Sequence, residues 1–268
     1  MEKKVVIITG ASSGIGLACA REFSRREFKV VLAARSIDIL HHIQQEISAY
    51  NPDVLVVNVD VSKEDDCKRL VDETIQRFGQ IDILINNAGI SMRAIFKDLD
   101  LNVLRKLMDT NFWGTVYCTK YALPYILKNR GSIVGVSSVA GFMGLPGRTG
   151  YSASKFAMHG FLETVRVEHL KQHLHVMIVA PGFTSSNIRK TALAADGSIQ
   201  GETPRDENKM MSPDKVARHI YRGIKWRRRQ IVLTLQGKLG VFLKRIVPSV
   251  IDYFEYREMK KEPNSPLI

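Results

Sequence analysis

Seven short runs of Val, Ile, Leu and Ala punctuate the chain: Val5–Thr9, Val30–Ala33, Val54–Asn58, Ile83–Asn86, Ile133–Ser137, Val176–Ala180 and Ile231–Leu233. Each is strand-length and apolar almost without alternation, a pattern strands carry when both of their faces are covered. Between them lie stretches with helical spacing, among them Gly14–Glu27, Ile37–Tyr50, Lys63–Phe78 and Ser152–Gln172. Regular alternation of strand and helix builds right-handed crossovers, which lay parallel strands side by side with helices above and below. The sequence predicts an α/β protein: a doubly wound, seven-stranded parallel sheet with helices on both faces, in one domain spanning 1–268.

Two segments break the rhythm. Residues 183–211 are polar, carry an Asp196-Gly197 turn signal and follow the sixth apolar run. Insertions at the carboxyl end of a parallel strand are where such sheets place ligand-facing loops. A substrate loop is expected there, with Phe183, Ile188, Leu193 and Ile199 as its apolar side chains. Residues 235–268 form a basic amphipathic extension in which Leu239, Phe242, Ile246 and Val250 recur at i, i+3/i+4 and Pro248 marks a break.

Composition excludes several classes. A hydrophobic content of 45% with 25% charged residues is globular, not disordered. No apolar run approaches the ~18 residues of a membrane-spanning helix. The opening MEKK leads into Val5–Thr9 with no cleavage site, so no signal peptide is expected. Cys19, Cys67 and Cys118 are far apart and unpaired in motif, which suits a reducing, cytoplasmic setting. The formal net charge is +12, and residues 221–268 hold 11 Lys+Arg against 4 Asp+Glu. Such a tail meets phosphates, acidic lipid or an acidic partner, or is simply a solvated surface. His169, His173 and His175 have metal-like spacing, but His175 lies past the helix end and no Glu or Cys joins them. A surface cluster is expected, and no metal. Arg227-Arg228-Arg229 is read as a solvated loop, and Phe112 and Trp113 as core; beyond charge, nothing points to nucleic acid.

The first run feeds Thr9-Gly10-Ala11-Ser12-Ser13-Gly14-Ile15-Gly16, after which helical spacing resumes. A strand, a glycine turn and a helix start together present backbone N–H groups and the positive helix end to a diphosphate. A Walker A loop is excluded because no Gly-Lys-Ser/Thr follows, and the glycine spacing also departs from G-x-G-x-x-G. After the second run comes Ala34-Arg35-Ser36, with no carboxylate before Asp38. An acidic residue there accepts the ribose 2′-OH of NAD, whereas Arg35 pairs with a 2′-phosphate. NADP(H) is favoured over NAD(H), although Ser13 stands where a second basic residue is expected.

Tyr151 and Lys155 are one helical turn apart and share a face. A phenol's ordinary pKa, about 10, is too high for efficient proton transfer near neutrality, and a nearby ammonium lowers it. Ser138 ends the fifth run and can hydrogen-bond a substrate oxygen; Asn111 can hold a water or a helix backbone linking to Lys155.

In this order these motifs resemble the short-chain dehydrogenase/reductase family in its single-domain form. They run from Thr9-Gly10-x-x-x-Gly14-Ile15-Gly16 through Asp60-Val61, Asn86-Asn87-Ala88-Gly89, Asn111, Ser138 and Tyr151-x-x-x-Lys155 to Pro181-Gly182 with Thr184. The resemblance covers residues 1 to about 234 and implies a Rossmann-like sheet. It makes Tyr151 the general acid/base, with Lys155 lowering its pKa and holding the nicotinamide ribose. Ser138 would orient the carbonyl or alcohol, and Asn111 would support a proton relay. Gly10, Ser12, Gly14, Ile15 and Gly16 would line the diphosphate side, Asp60 and Val61 the adenine, Asn87 and Gly89 the ribose, and Thr184 the carboxamide. The implied reaction is hydride transfer between NADP(H) and a carbonyl or secondary alcohol, in a homodimer or homotetramer. Parts of the chain are also similar to vertebrate membrane-associated reductases, but their N-terminal anchor is not found here, so a membrane location is not carried over. Two other functions stay open: a non-catalytic NADP(H)-binding redox sensor, and a membrane-surface protein acting through its basic tail.

Overall fold

In the computed structural model, which describes residues 2–203 and 210–267, the apolar runs become β1 (Val5–Thr9), β2 (Lys29–Ala34), β3 (Val54–Asn58), β4 (Ile83–Asn86), β5 (Ser132–Val136), β6 (His175–Ala180) and β7 (Gln230–Val232). They form a seven-stranded sheet in the order β3-β2-β1-β4-β5-β6-β7. Every neighbouring pair is parallel.

The continuous apolar character of the runs has a direct cause. In β1, Val5 and Ile7 pack to one side, against Leu70, Ile126 and Leu162. Val6 and Ile8 pack to the other, against Phe23, Leu40 and Ile220. The first side is covered by α3 (Glu64–Phe78), α5 (Gly114–Lys128) and α6 (Thr149–Glu168), the second by α1 (Gly14–Ser24), α2 (Ile37–Ser48) and α7 (Pro213–Lys225). Local signals fix the helix ends. Gly79 closes α3 in the left-handed region at φ 75°, and the Ser212 side chain caps α7 ahead of Pro213. A short α4 (Leu101–Leu107) precedes α5.

After β3 the chain crosses back over β1 to lay down β4 on its other side. The crevice beyond the carboxyl ends of β1 and β4 is the switch point at which such sheets bind ligands.

Several expectations are corrected. The helix carrying Tyr151 begins at Thr149, not at 152, and ends at Glu168. Trp113 is not core: it is 43% exposed and stacks on Tyr117 with ring centroids 5.6 Å apart. The three histidines are not a surface cluster, since His175 is buried, with Nδ1 2.9 Å from the Ser132 hydroxyl and Nε2 2.9 Å from the Arg228 carbonyl. Arg227, Arg228 and Arg229 are exposed, as expected of a solvated loop, and Arg227 donates to the carbonyls of Arg130 and His173. Residues 204–209 of the expected substrate loop lie outside the described residues. In its described part the Asp196-Gly197 turn forms, with Gly197 at φ 85°.

The extension forms α8 (Leu235–Ile246) and α9 (Pro248–Lys260), with Pro248 in the first turn of α9. Its Leu239, Phe242, Ile246 and Val250 stripe faces solvent, not the core.

Phe23 is the largest fully buried side chain and meets Phe28 and Tyr221 edge-on at 5.1 and 5.8 Å. Phe23→Ala leaves a cavity between α1 and α7, and denaturant unfolding should show a loss of ~3–5 kcal/mol.

Candidate active site

The glycine turn sits at the switch point. Gly10 has φ +65°, and a Cβ on it would lie 2.9 Å from the Ala88 Cα. A Cβ on Gly16 would lie 2.1 Å from the Gly10 carbonyl oxygen. Neither position has room for a side chain, so β1, the start of α1 and the end of β4 meet backbone to backbone. Asn87 locks the junction: its amide donates to the Thr9 carbonyl at 2.9 Å and the Gly10 carbonyl at 3.2 Å. The Thr9 hydroxyl accepts from the Asn87 and Ala88 N–H groups, both at 3.0 Å.

Ser13 is the N-cap of α1, yet its side chain makes no capping bond, and no acidic residue occupies the first turn. The positive helix end therefore faces the crevice beside Ser12, Gly14 and Ile15 without an internal anion. Arg35 leaves β2 at the same end of the sheet and is exposed. Among the described residues its guanidinium has no partner. Asp60 accepts from the Ser62 N–H and hydroxyl at 3.1 and 2.7 Å, and Val61 is buried against Gly114. This donor set fits a phosphorylated dinucleotide: an open helix end, a cradle without Cβ atoms and an unengaged arginine.

Across the crevice, Lys155 on α6 is buried, and its ammonium donates to the Val136 carbonyl at 2.9 Å. Burial pulls its pKa down to about 8. The same ammonium lies 5.8 Å from the Tyr151 ring centroid, and a Cβ on Gly89 would be 3.6 Å from it. Tyr151 is half-buried against Met92, Val103 and Leu107. Burial pushes its phenol up, and a hydrogen bond from Ser138 and the charges of Arg148 and Arg189 offset that only in part. Lys155 is not among the groups that lower the phenol here. The Ser138 oxygen accepts from the Ala140 N–H at 3.2 Å, which leaves its own proton for the phenol oxygen.

Asn111 sits in a π-helical turn, Met108–Trp113, between α4 and α5. Its side chain accepts from the Ile90 N–H at 2.8 Å and donates to the Ile90 carbonyl at 3.0 Å and the Ser154 hydroxyl at 2.9 Å. It links the strand-end loop to α6 through Ser154, and not through Lys155. Thr184 is buried beyond β6, with its hydroxyl on the Gly182 carbonyl at 3.1 Å. Tyr151, Lys155, Ser138 and Asn111 thus come together on the β4–β5 side of the crevice, with the glycine turn on the β1 side.

Sequence reasoning missed three groups. Arg148 is buried and holds the Ser91 hydroxyl and the Met92 carbonyl at 3.0 and 3.2 Å. Arg189 is buried and donates to the Thr184 carbonyl at 3.0 Å. His159, one turn beyond Lys155, lies 2.6 Å from the Ser137 hydroxyl and is pushed down to about 4 by burial and by the Lys155 charge. The one visible sign was placement: Arg148 three residues before Tyr151, and His159 four after Lys155.

Comparison with known proteins places the chain in one family. The family model for short chain dehydrogenases matches residues 4–197. An 11-beta-hydroxysteroid dehydrogenase A of Arachis hypogaea is 44% identical over 76% of the chain, which spans only 58% of that relative's length. Dehydrogenase/reductase SDR family member 7B of Xenopus tropicalis is 35% identical over 98% of the chain and 87% of its own length. Among solved structures, an alcohol dehydrogenase from Thermococcus sibiricus complexed with 5-hydroxy-NADP superposes with TM-score 0.77 at 25% identity, covering 87% of this chain and 96% of that one. A short chain dehydrogenase/reductase from Burkholderia phymatum with NAD has TM-score 0.83 at 23% identity, covering 93% and 95%, and shows the shared fold.

His159 carries a pH signature. Its ordinary value of 6.5 falls to about 4 in the folded chain, so between these the unfolded chain binds a proton that the folded one does not. Stability should therefore decline as pH falls through that window. Urea unfolding should show a shallower decline in His159→Gln.

Proposed function

The chain belongs to the short chain dehydrogenase family, and we propose that it is an NADP(H)-dependent oxidoreductase interconverting a carbonyl compound and a secondary alcohol. The observation that carries this reading is the convergence of the Tyr151 phenol, the Ser138 hydroxyl and the buried Lys155 ammonium across from an open, positively polarised helix end.

Gly10, Ser12, Ser13, Gly14, Ile15 and Gly16 would hold the diphosphate against the start of α1, and Arg35 the 2′-phosphate. Asp60 and Val61 would flank the adenine, Asn87 and Gly89 the adjoining ribose, Lys155 the nicotinamide ribose and Thr184 the carboxamide. When bound, the nicotinamide supplies or receives the hydride at the substrate carbon. The chain's own work is proton handling and orientation. Ser138 donates to the substrate oxygen and fixes its distance from Tyr151. Tyr151 gives its phenolic proton to that oxygen during reduction and takes it back during oxidation. Burial disfavours phenolate, and the Ser138 hydrogen bond and the Arg148 and Arg189 charges work against that and favour the transfer. Asn111 holds the Ile90 backbone and Ser154, which keeps α6 in register with the strand ends.

The preference for NADP(H) is supported by the unengaged Arg35 and the absence of a carboxylate at the end of β2. Phe183 and Ile199 are exposed in the substrate loop and suit an apolar carbonyl compound of moderate size. The relatives named as hydroxysteroid dehydrogenases are in keeping with that class. A homo-oligomer is supported by the Trp113–Tyr117 stack on exposed surface.

Tyr151→Phe should lower carbonyl-dependent NADPH oxidation by about 10²–10⁴ while leaving NADPH binding nearly unchanged. Full turnover in that variant rejects the assigned acid, and no turnover by the parent chain on any carbonyl favours the sensor. Arg35→Asp should weaken NADPH by ~1–3 kcal/mol in a fluorescence titration, through a lost charge-assisted pair and added repulsion. An unchanged NADPH/NADH ratio places the selectivity elsewhere.

A further inference from the structure

The carboxyl-terminal helices present an arrangement that the reaction does not use. Helix α8 sits on the body through its small residues: a Cβ on Gly237 would be 3.0 Å from Val139 Cγ1, and one on Gly240 would be 3.3 Å from Met143 Cε. Its inner face is thereby seated on the turn that follows Ser138. The outer face carries the large apolar groups. Leu235, Leu239, Phe242 and Ile246 recur along α8, and Val250 and Tyr253 continue the series on α9; Leu235 is 83% exposed, Phe242 61% and Tyr253 68%. Soluble surfaces seldom leave so many large apolar side chains uncovered in one stretch.

The charge around them is predominantly basic, with Glu255 and three paired carboxylates on the acidic side. Asp252 pairs with Lys244, Glu258 with Lys261 and Glu262 with Arg93. Among the described residues, Lys238, Arg245, Arg257 and Lys260 make no ion pair. Aliphatic and aromatic groups flanked by unpaired cations are the chemistry that seats a helix at the headgroup level of an acidic bilayer.

We propose that the α8–α9 hairpin docks the protein on an anionic lipid bilayer, with its apolar stripe buried to headgroup depth. The docking itself is independent of the proposed reaction. A consequence for the reaction, which rests on that reading, is access: Asp252, Glu255 and Tyr256 of α9 line an open cavity of about 410 Å³ together with Leu145, Thr149 and Ser152. The cavity wall includes Thr149 and Ser152, on either side of Tyr151 in α6, so docking sets the bilayer beside an opening next to the turn that carries the proposed acid.

The test is sedimentation of the full chain with vesicles of phosphatidylcholine, alone or with about 30% phosphatidylserine. Partition onto the anionic vesicles should be about tenfold greater and should fall severalfold on raising salt to ~0.5 M. The L239E/F242E chain should lose about tenfold in partition while keeping its unfolding temperature. The K238E/R245E chain, whose apolar stripe is intact, should lose the preference for acidic lipid. Equal partition of parent and L239E/F242E overturns the proposal. So does a parent chain that dimerises without vesicles while L239E/F242E stays monomeric, since the face is then an interface between copies. Because partition is read without substrate, its failure is separate from any failure of the Tyr151 assignment.

Discussion

The hydrogen bond from the Lys155 ammonium to the Val136 carbonyl ties together the two elements that carry the site. It joins α6 to the last residue of β5, and each of those elements carries a group the chemistry needs: Tyr151 one turn earlier on the helix, and Ser138 two residues beyond the strand. A buried cation is costly unless it is solvated by the protein, and one carbonyl is a thin substitute for water. That thinness is why burial depresses Lys155 and why the site is electrostatically receptive to further oxygen ligands, such as ribose hydroxyls.

The surroundings of the phenol follow from the same economy of burial. Tyr151 is wedged against the small cluster of Met92, Val103 and Leu107, which fixes the ring but removes water from it. Arg148 and Arg189 supply positive potential to the phenol while each donates to a backbone carbonyl of the loops that frame the crevice. His159 stays neutral beside Lys155, so the site gains a hydrogen-bonded anchor for Ser137 without a second competing cation.

The layout of the sheet and the glycine turn was legible because both are dictated by local patterns. Continuous Val/Ile runs require two covered faces, and Gly10 to Gly16 can hardly be anything but a close backbone approach. Tyr151, Lys155, Ser138 and Asn111 were legible as a set through family resemblance, although Asn111 reaches α6 by way of Ser154, a connection that spacing does not encode. What escaped depended on tertiary neighbours. The Leu239–Val250 stripe announced an amphipathic helix but not which side the body covers, and the glycines at 237 and 240 decided that. Trp113 looked like core by composition alone, and His175 looked like surface by its neighbours. Arg148 is buried through bonds to Ser91 and Met92, far from it in sequence, and Arg189 through a loop that folds back on Thr184, so no periodicity could mark either.

The π-helical turn at Met108–Trp113 fixes how this stretch tolerates change in length. A π turn holds one more residue than the α turn it replaces, and removing a residue from an α-helix rotates everything beyond it by ~100°. Asn111 sits within that turn and meets both Ile90 and Ser154 from it. Substitutions along 108–113 leave the helical phase intact, whereas a single deletion swings the amide away from both partners. Insertions and deletions are therefore far more damaging here than in the exposed loops on the same side of the sheet.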